Sequence, residues 1–122
     1  MLDVKVSEET VTIEVDVKVI EVEQNISGTN DSAFRAFLLE HSQEDSCPRV
    51  LLDLSGMRFI NSSGLGAIAN MSMRLRKIKG MLVIVSPNKE LTQVFTVTKL
   101  DQVLTIVEGR EAALELFAQG TP

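Results

Sequence analysis

Apolar and polar residues alternate near the start of the chain, from Val11 to Val17. A period of two is typical of a strand with one solvated face. Val19 and Ile20 then stand side by side, and this shifts the parity of the pattern. The shift predicts a bulge or a tight turn between Asp16 and Val19. A short additional strand is predicted at residues 4–6.

Four later segments have the spacing of helices with one buried face. Phe34, Phe37, Leu38 and His41 recur at i, i+3, i+4 and i+7. A second helix is predicted to begin at Ser62 or Ser63 and to end at Gly80, a residue type that commonly stops helices. The other predicted apolar faces are Leu65, Ile68, Ala69, Ser72 and Leu75 in this second helix, Leu91, Val94, Phe95 and Thr98 in a third, and Ala113, Leu114 and Phe117 in a fourth.

Three short apolar runs lie between these helices, at Val50–Leu54, Met81–Val85 and Val103–Val107. Such runs suit strands that are covered on both faces, as in a parallel sheet. Strands that alternate with helices imply crossover connections. The predicted fold class is therefore α/β, with a mixed, mostly parallel central sheet, antiparallel N-terminal strands and about four helices.

The bulk composition narrows the functional class. A chain of 122 residues fits one domain, here 1–122, and 44% hydrophobic residues can fill a core. The formal net charge of -5 disfavours binding to nucleic acid, which would repel such a surface. Cys47 is the only cysteine, so no internal disulfide can form, and no signal or membrane-spanning run is evident. A cytoplasmic protein that does not insert into a membrane is expected.

The segment Asn61–Gly66 follows a predicted strand and opens a helix. The first N–H groups of a helix lack internal partners and the helix dipole is positive there, so the site suits an anion or a phosphorylated side chain. Serine is also a favoured N-cap, and Gly64 and Gly66 also suit close packing of a helix on a sheet. The residues alone leave capping and anion binding open, with capping the commoner role.

Residues 50–66 resemble the central motif of the STAS domain, a family that includes bacterial anti-sigma factor antagonists and cytoplasmic domains of sulfate transporters. The family motif has an apolar strand, Asp-Leu-Ser, a short loop, an aromatic–aliphatic pair and Asp-Ser-Ser/Thr-Gly-Leu-Gly. The matching residues here are Asp53-Leu54-Ser55, Phe59-Ile60 and Asn61-Ser62-Ser63-Gly64-Leu65-Gly66. Weaker similarity extends the match to about residues 10–117, the expected core of a single STAS domain.

The resemblance implies a regulator and not an enzyme, with no cofactor or metal. In antagonists of the family, an anti-sigma factor with serine kinase activity phosphorylates the serine after the acidic residue. The phosphorylated antagonist then dissociates from the anti-sigma factor, and a phosphatase resets this partner switch. The phosphoacceptor carried over to this sequence is Ser62, with Ser63 as the second candidate. Transcription would be regulated indirectly, by a monomer or weak homodimer. The implied partner contacts are Ser27, Gly28, Thr29, Asn30, Met57, Arg58, Asn61, Ser62, Ser63, Gly64, Ser86, Pro87 and Asn88.

Two positions depart from the family pattern. Asn61 stands where the family usually has aspartate, which removes a negative charge beside the phosphoacceptor. Asparagine still accepts hydrogen bonds and tolerates unusual turns, so the fold is expected to survive. Lys99 replaces the usual glycine of a C-terminal Thr-Gly-Leu stretch, which is expected to pack and not to act.

Other functional classes fit the residues less well. Asp53 lies near the end of a central strand, like the phosphoacceptor of a receiver domain. The acidic pair and the lysine that such domains need are missing. Asp53 is therefore expected to bond the following loop. A hydrolase is disfavoured because the only histidine, His41, lies at the end of a helical stripe and no Gly-x-Ser-x-Gly elbow is present. Five basic residues and no acidic one lie from Leu54 to Asn88. These charges are more simply explained as the solvated face of a helix than as an anion site. The main alternative is a STAS module that acts without phosphorylation, as a scaffold, an accessory subunit of a membrane transporter or a small-ligand or anion sensor.

Overall fold

The computed structural model of the protein describes residues 6–12 and 16–119. Its elements alternate between strand and helix after an initial strand pair. The strands are β1 (Val6–Thr12), β2 (Asp16–Val22), β3 (Arg49–Asp53), β4 (Met81–Val85) and β5 (Thr105–Val107). The helices are α1 (Asp31–Glu40), α2 (Ser62–Lys77), α3 (Lys89–Val97) and α4 (Arg110–Ala118), with a short 3-10 helix at Leu100–Gln102.

The five strands form one sheet in the order β1-β2-β3-β4-β5. Strands β2 to β5 run parallel, and β1 pairs with β2 in the antiparallel direction. Each parallel pair is joined by a crossover that contains at least one helix, as a parallel sheet requires. The predicted α/β class with four helices and a mostly parallel sheet is confirmed.

Helices cover both faces of the sheet. One face packs against residues of α1, α2 and α3 in the larger core, which includes Phe34, Ile68 and Phe95. The other face packs against α4 in a smaller core around Phe117. Because β3 and β4 lie between these two layers, four of the five residues in each are buried, which explains their nearly continuous apolar sequences.

The predicted break between Asp16 and Val19 is wrong. β2 runs through this segment in continuous register with β1, from Thr12 opposite Asp16 to Val6 opposite Val22. The parity changes because β2 is buried on both sides. Val17 and Val19 belong to the smaller core, whereas Ile20 belongs to the larger one. The alternation across Val11–Val17 therefore spans parts of two strands. Residues 13–15, and residues 4 and 5 of the predicted extra strand, lie outside the described residues.

Helix α2 ends at Lys77, three residues before its predicted end at Gly80. Lys79 adopts the left-handed conformation, with φ of 61°, and its N–H donates to the Arg76 carbonyl at 3.0 Å. The Gly80 N–H donates to the Leu75 carbonyl at 2.6 Å, so the pair completes a Schellman motif. Gly80 serves close packing instead, because a Cβ there would collide with the carbonyl of Pro48.

The stretch before β5 also differs from the prediction. β5 is confined to Thr105–Val107, whereas Val103 is 55% exposed and follows the 3-10 helix. Lys99 has a φ of 64°, in the left-handed region that favours glycine. The family usually has glycine at this position because glycine adopts the left-handed conformation without strain. Lys99 adopts the same conformation at an energetic cost, because it has a side chain.

Candidate functional site

Three loops that follow parallel strands lie at one edge of the sheet. They follow the carboxyl ends of β2, β3 and β4, and the first two lead into α1 and α2. Loops at this edge of a parallel sheet are a common location for binding sites. The predicted contact segments 27–30, 57–63 and 86–88 all lie there.

The first two loops are joined through Asn25 and Ile26. The Asn25 side-chain oxygen accepts hydrogen bonds from the backbone N–H groups of Arg58 and Phe59, at 2.8 and 3.1 Å. Ile26 forms an isolated parallel bridge with Ile60, in which its N–H donates to the Phe59 carbonyl at 3.0 Å. The segment before α2 therefore has a fixed backbone, held by the loop that precedes α1.

Asn30 closes the loop that begins at Ser27. Its side-chain oxygen accepts from the Ser27 N–H at 2.9 Å, and its amide nitrogen donates to the Asn25 carbonyl at 2.9 Å. Asn30 is consequently 7% exposed, while Gly28 and Thr29 lie on the surface. The loop thus presents two small residues to solvent and uses its asparagine for internal structure.

The N-cap of α2 is Asn61 and neither of the two serines. The Asn61 side-chain oxygen accepts from the Gly64 N–H at 2.8 Å, which satisfies one of the free N–H groups of the first turn. Ser62 is the first residue of α2 and is exposed. Ser63 is half-buried, and its hydroxyl accepts a hydrogen bond from Arg35 of α1 at 3.4 Å. The capping role considered for serine is therefore wrong, and the Ser62 side chain faces solvent.

Gly64 and Gly66 have different roles in the same helix. A Cβ on Gly64 would lie 2.7 Å from Cγ1 of Ile60 and 3.0 Å from Cγ2 of Ile26, whereas one on Gly66 would meet nothing within 4 Å. Gly64 thus permits the close approach of α2 to the two loops that frame the serine.

We expect Gly64→Ala to lower the free energy of unfolding by about 1–3 kcal/mol, because the new methyl group displaces Ile60. Gly66→Ala is the matched control in the same helix and should raise stability by about 0.4–1 kcal/mol, since alanine restricts the unfolded chain. Urea denaturation of both variants measures the difference. Equal effects of the two substitutions would contradict the close approach at Gly64.

The third loop is attached less directly. Ser86 is 2% exposed and its hydroxyl lies 3.0 Å from that of Thr92, while Asn88 caps α3 by accepting from the Glu90 N–H at 2.9 Å. An exposed ion pair between Arg58 and Glu90, at 3.4 Å, connects α3 with the loop before α2. Exposed ion pairs contribute little to stability, so this contact adds little to the attachment of the third loop.

Four of the predicted partner contacts have buried side chains or no room for one. Met57 is completely buried in the larger core, and Ser86, Asn30 and Gly64 are also buried. These residues hold the loops in place, and their role as partner contacts stays a prediction. The exposed part of the site consists of Gly28, Thr29, Arg58, Ser62 and Pro87, together with Phe59, which is 51% exposed.

An ion pair between a buried carboxylate and a partly exposed guanidinium lies beneath the loop that follows β3. Asp53 is 4% exposed, and its Oδ1 accepts from the N–H of Ser55 at 2.9 Å and from the Ser55 hydroxyl. Its Oδ2 accepts from Nε of Arg110, the first residue of α4, at 2.6 Å. Arg110 also lies 3.7 Å from the Glu21 carboxylate. The expectation that Asp53 bonds the following loop is confirmed.

The environment of Asp53 lowers its pKa. Burial by itself raises the pKa of this carboxyl, but the hydrogen bonds from Ser55 and Arg110 and the guanidinium charge outweigh that effect. Asp53 therefore remains a carboxylate at neutral pH and joins the start of α4 to the end of β3. Sequence reasoning missed Arg110, because the two residues are 57 positions apart and no local pattern connects them.

The basic residues of α2 do not surround Ser62. Arg74, Arg76, Lys77 and Lys79 lie in or after the last turn, about 18 Å or more from the first residue at the rise of an α-helix. Arg76 donates to the Val103 carbonyl at 3.0 Å. Among the hydrogen bonds of the described residues, Arg35 of α1 contacts the start of α2 through Ser63. Within the described ranges, no group of three His, Cys, Asp or Glu side chains could hold a metal ion, and no helix is long and apolar enough to cross a bilayer.

Comparison with known proteins agrees with this architecture. The family model of the STAS domain matches residues 8–113. A Thermotoga neapolitana protein named "Putative anti-sigma factor antagonist TM1081 homolog" is 27% identical over 100 residues, which cover 82% of this chain and 88% of that protein.

Two solved structures share the fold at lower identity. The anti-sigma factor antagonist SpoIIAA in its unphosphorylated form has a TM-score of 0.66 and 14% identity, over 94% of this chain and 100% of that one. The murine anion transporter Slc26a9 has a TM-score of 0.67 and 21% identity, over 88% of this chain but 18% of the transporter. Since the family match extends over most of the sequence, this chain belongs to the STAS domain family.

Proposed function

We propose that this protein is an anti-sigma factor antagonist whose binding to an anti-sigma factor is switched by phosphorylation of Ser62. The unphosphorylated protein binds an anti-sigma factor with serine kinase activity in the cytoplasm and so frees a sigma factor. Phosphorylation by that kinase releases the antagonist, and a phosphatase restores it. The protein itself carries out no catalysis.

The observation that carries this proposal is the exposed position of Ser62 as the first residue of α2. Because Asn61 caps the helix, the Ser62 hydroxyl is not used for capping and is accessible to a kinase. The loops on either side are held by backbone hydrogen bonds, so the serine is presented on a rigid surface. A rigid site costs little ordering when a partner binds. Relatives named as anti-sigma factor antagonists support the same assignment.

The test is phosphorylation with purified anti-sigma serine kinases of the same organism and ATP. Mass spectrometry of the wild-type protein should show one added phosphate, on the peptide that contains Ser62. Ser62→Ala should remove it, whereas Ser63→Ala should retain it, because Ser63 is half-buried beside Arg35. Phosphate on Ser62→Ala but not on Ser63→Ala would move the switch to Ser63, and no phosphate on the wild type would refute the proposal.

A second candidate function rests on the similarity to the transporter domain. A STAS module that serves as an accessory subunit of a membrane transporter, as a scaffold or as an anion sensor needs no phosphorylated serine. The shared fold with Slc26a9 is compatible with such a role. Affinity purification from cells distinguishes the two: recovery of a transporter with both wild type and Ser62→Asp favours the second candidate, and recovery of a kinase with the wild type alone favours the first.

A further inference from the structure

The side-chain amide of Asn61 has a defined orientation. Its oxygen accepts the hydrogen bond from the Gly64 N–H, so its nitrogen points away from the helix. That nitrogen donates to Oδ2 of Asp31 at 2.9 Å. The contact links the N-cap of α2 with the first turn of α1, 30 positions earlier in the chain.

This contact brings a carboxylate to a segment that has none of its own. From Leu54 to Asn88 the sequence contains five basic residues and no acidic one. The acidic group beside the first turn of α2 therefore comes from α1. Asp31 is half-buried, and it is held where the N-terminal turns of two helices meet. Two positive helix ends favour a negative charge at this point.

We infer that Asp31 is the acidic recognition group of the switch, the charge that a kinase partner reads beside Ser62. The inference rests on the proposed function. In the family motif the residue before the serine usually carries this charge, and here Asn61 holds the carboxylate of another helix one hydrogen bond away. A cationic side chain of the partner can form a charge-assisted hydrogen bond with Asp31, roughly twice as strong as one between neutral groups.

The geometry also explains why position 61 carries asparagine. An aspartate there could still accept from Gly64, but its second oxygen would face Asp31 at hydrogen-bond distance without a proton between them. Two adjacent carboxylates disfavour each other's ionised form. The Asn61–Asp31 pair can therefore hold one carboxylate but not two.

The substitution Asp31→Asn removes the negative charge of the side chain and keeps its size and shape. The new amide can turn its oxygen toward Asn61 and keep the hydrogen bond, so the unfolding midpoint should fall by no more than about 5 °C. Phosphorylation of Ser62, measured as the initial rate with radiolabelled ATP and the purified kinase, should slow at least about tenfold, the effect of one lost charged contact. Asp45→Asn removes an equal charge from the exposed loop after α1 and should leave the rate unchanged.

The double variant Asp31→Asn/Asn61→Asp moves the carboxylate to the other end of the same hydrogen bond. The new carboxylate at position 61 can accept from both Gly64 and the new amide at position 31. Its phosphorylation rate should return to within about threefold of the wild type, since the charge is back beside Ser62. Asn61→Asp alone should lower the unfolding midpoint, because two carboxylates then face each other.

The outcomes separate this inference from the proposed function. Phosphorylation of wild type and Asp31→Asn at equal rates overturns the role of Asp31 and leaves the switch at Ser62 intact. A double variant as slow as Asp31→Asn also overturns it, because the charge would then not be what the kinase reads. Absence of phosphate on the wild type with every anti-sigma kinase of the organism overturns the proposed function itself.

Discussion

Replacing Asp53 with asparagine is expected to lower the free energy of unfolding by about 1–3 kcal/mol at pH 7. The asparagine oxygen can still accept the two hydrogen bonds from Ser55. Its amide nitrogen, however, would face Nε of Arg110, so two donors would meet where a carboxylate now lies. Asp53 is 4% exposed, whereas the Arg110 side chain is 36% exposed, so water can replace only part of the lost acceptor. Chemical denaturation of both proteins measures the loss.

The stability difference should also depend on pH. The pKa of Asp53 lies below its ordinary value of 3.8 in the folded protein. A carboxyl of this kind stabilises the fold fully above its unfolded pKa, and the contribution disappears as the pH falls through the folded pKa. The difference between wild type and Asp53→Asn should be constant from about pH 5 to 8 and should shrink below about pH 4. A difference that grows toward pH 3 would contradict the assignment.

Two controls separate the ion pair from a general effect of the charge. Asp101→Asn removes an exposed carboxylate and should change stability by less than about 0.5 kcal/mol. Arg110→Met in the Asp53→Asn background removes the unmatched donor and should recover part of the loss, because replacing both partners is less costly than replacing one. Additive losses from the two single substitutions would show that the residues are not coupled.

Phosphorylation of Ser62 is expected to weaken binding to the kinase partner by about 100-fold, or about 2.7 kcal/mol. A phosphate adds about -1.5 to -2 charges to an exposed residue that lies in the proposed interface. Burying that charge against a partner requires loss of its water, and the phosphate would compete with Asp31, which is hydrogen-bonded to Asn61, for the partner's cationic side chain. No rearrangement of the domain is needed for release.

Ser62→Asp reproduces part of this effect with a single charge. Its affinity for the kinase should fall about tenfold, while its unfolding midpoint should stay close to that of the wild type, because acidic residues are favourable in the first turn of a helix. Gln119→Glu adds the same charge after α4, on the opposite face of the sheet, and should bind like the wild type. Equal weakening by both variants would indicate a general charge effect and not a site at Ser62.

Patterns that depend on local sequence predicted much of the fold. The apolar runs of β3 and β4 identified the central strands because both faces of these strands are covered. The break expected within β2 was wrong for the same physical reason. A strand buried on both faces has no strict alternation, and its hydrophobic period cannot show where it begins. The left-handed Lys79 and Lys99 were also missed, since lysine rarely adopts that conformation.

The sequence predicted where Ser62 lies in the fold but not the hydrogen bonds that surround it. The change from a strand to a helix at residues 61–66 placed Ser62 at the start of α2, as observed. Serine and asparagine are both good N-caps, so the sequence could not decide that Asn61 takes this role. The contacts of Asp31 with Asn61 and of Arg110 with Asp53 join segments 30 and 57 positions apart. Such pairs depend on tertiary packing and leave no periodic signal.

The central claim, a phosphorylation switch at Ser62, is tested most directly by calorimetric titration of the kinase partner with the two forms of the wild-type protein. One form is fully phosphorylated at Ser62, as shown by mass spectrometry, and the other is unmodified. We expect the unmodified form to bind and the phosphorylated form to bind about 100-fold more weakly under the same buffer and salt. Equal affinity of the two forms, or tighter binding of the phosphorylated one, would contradict it.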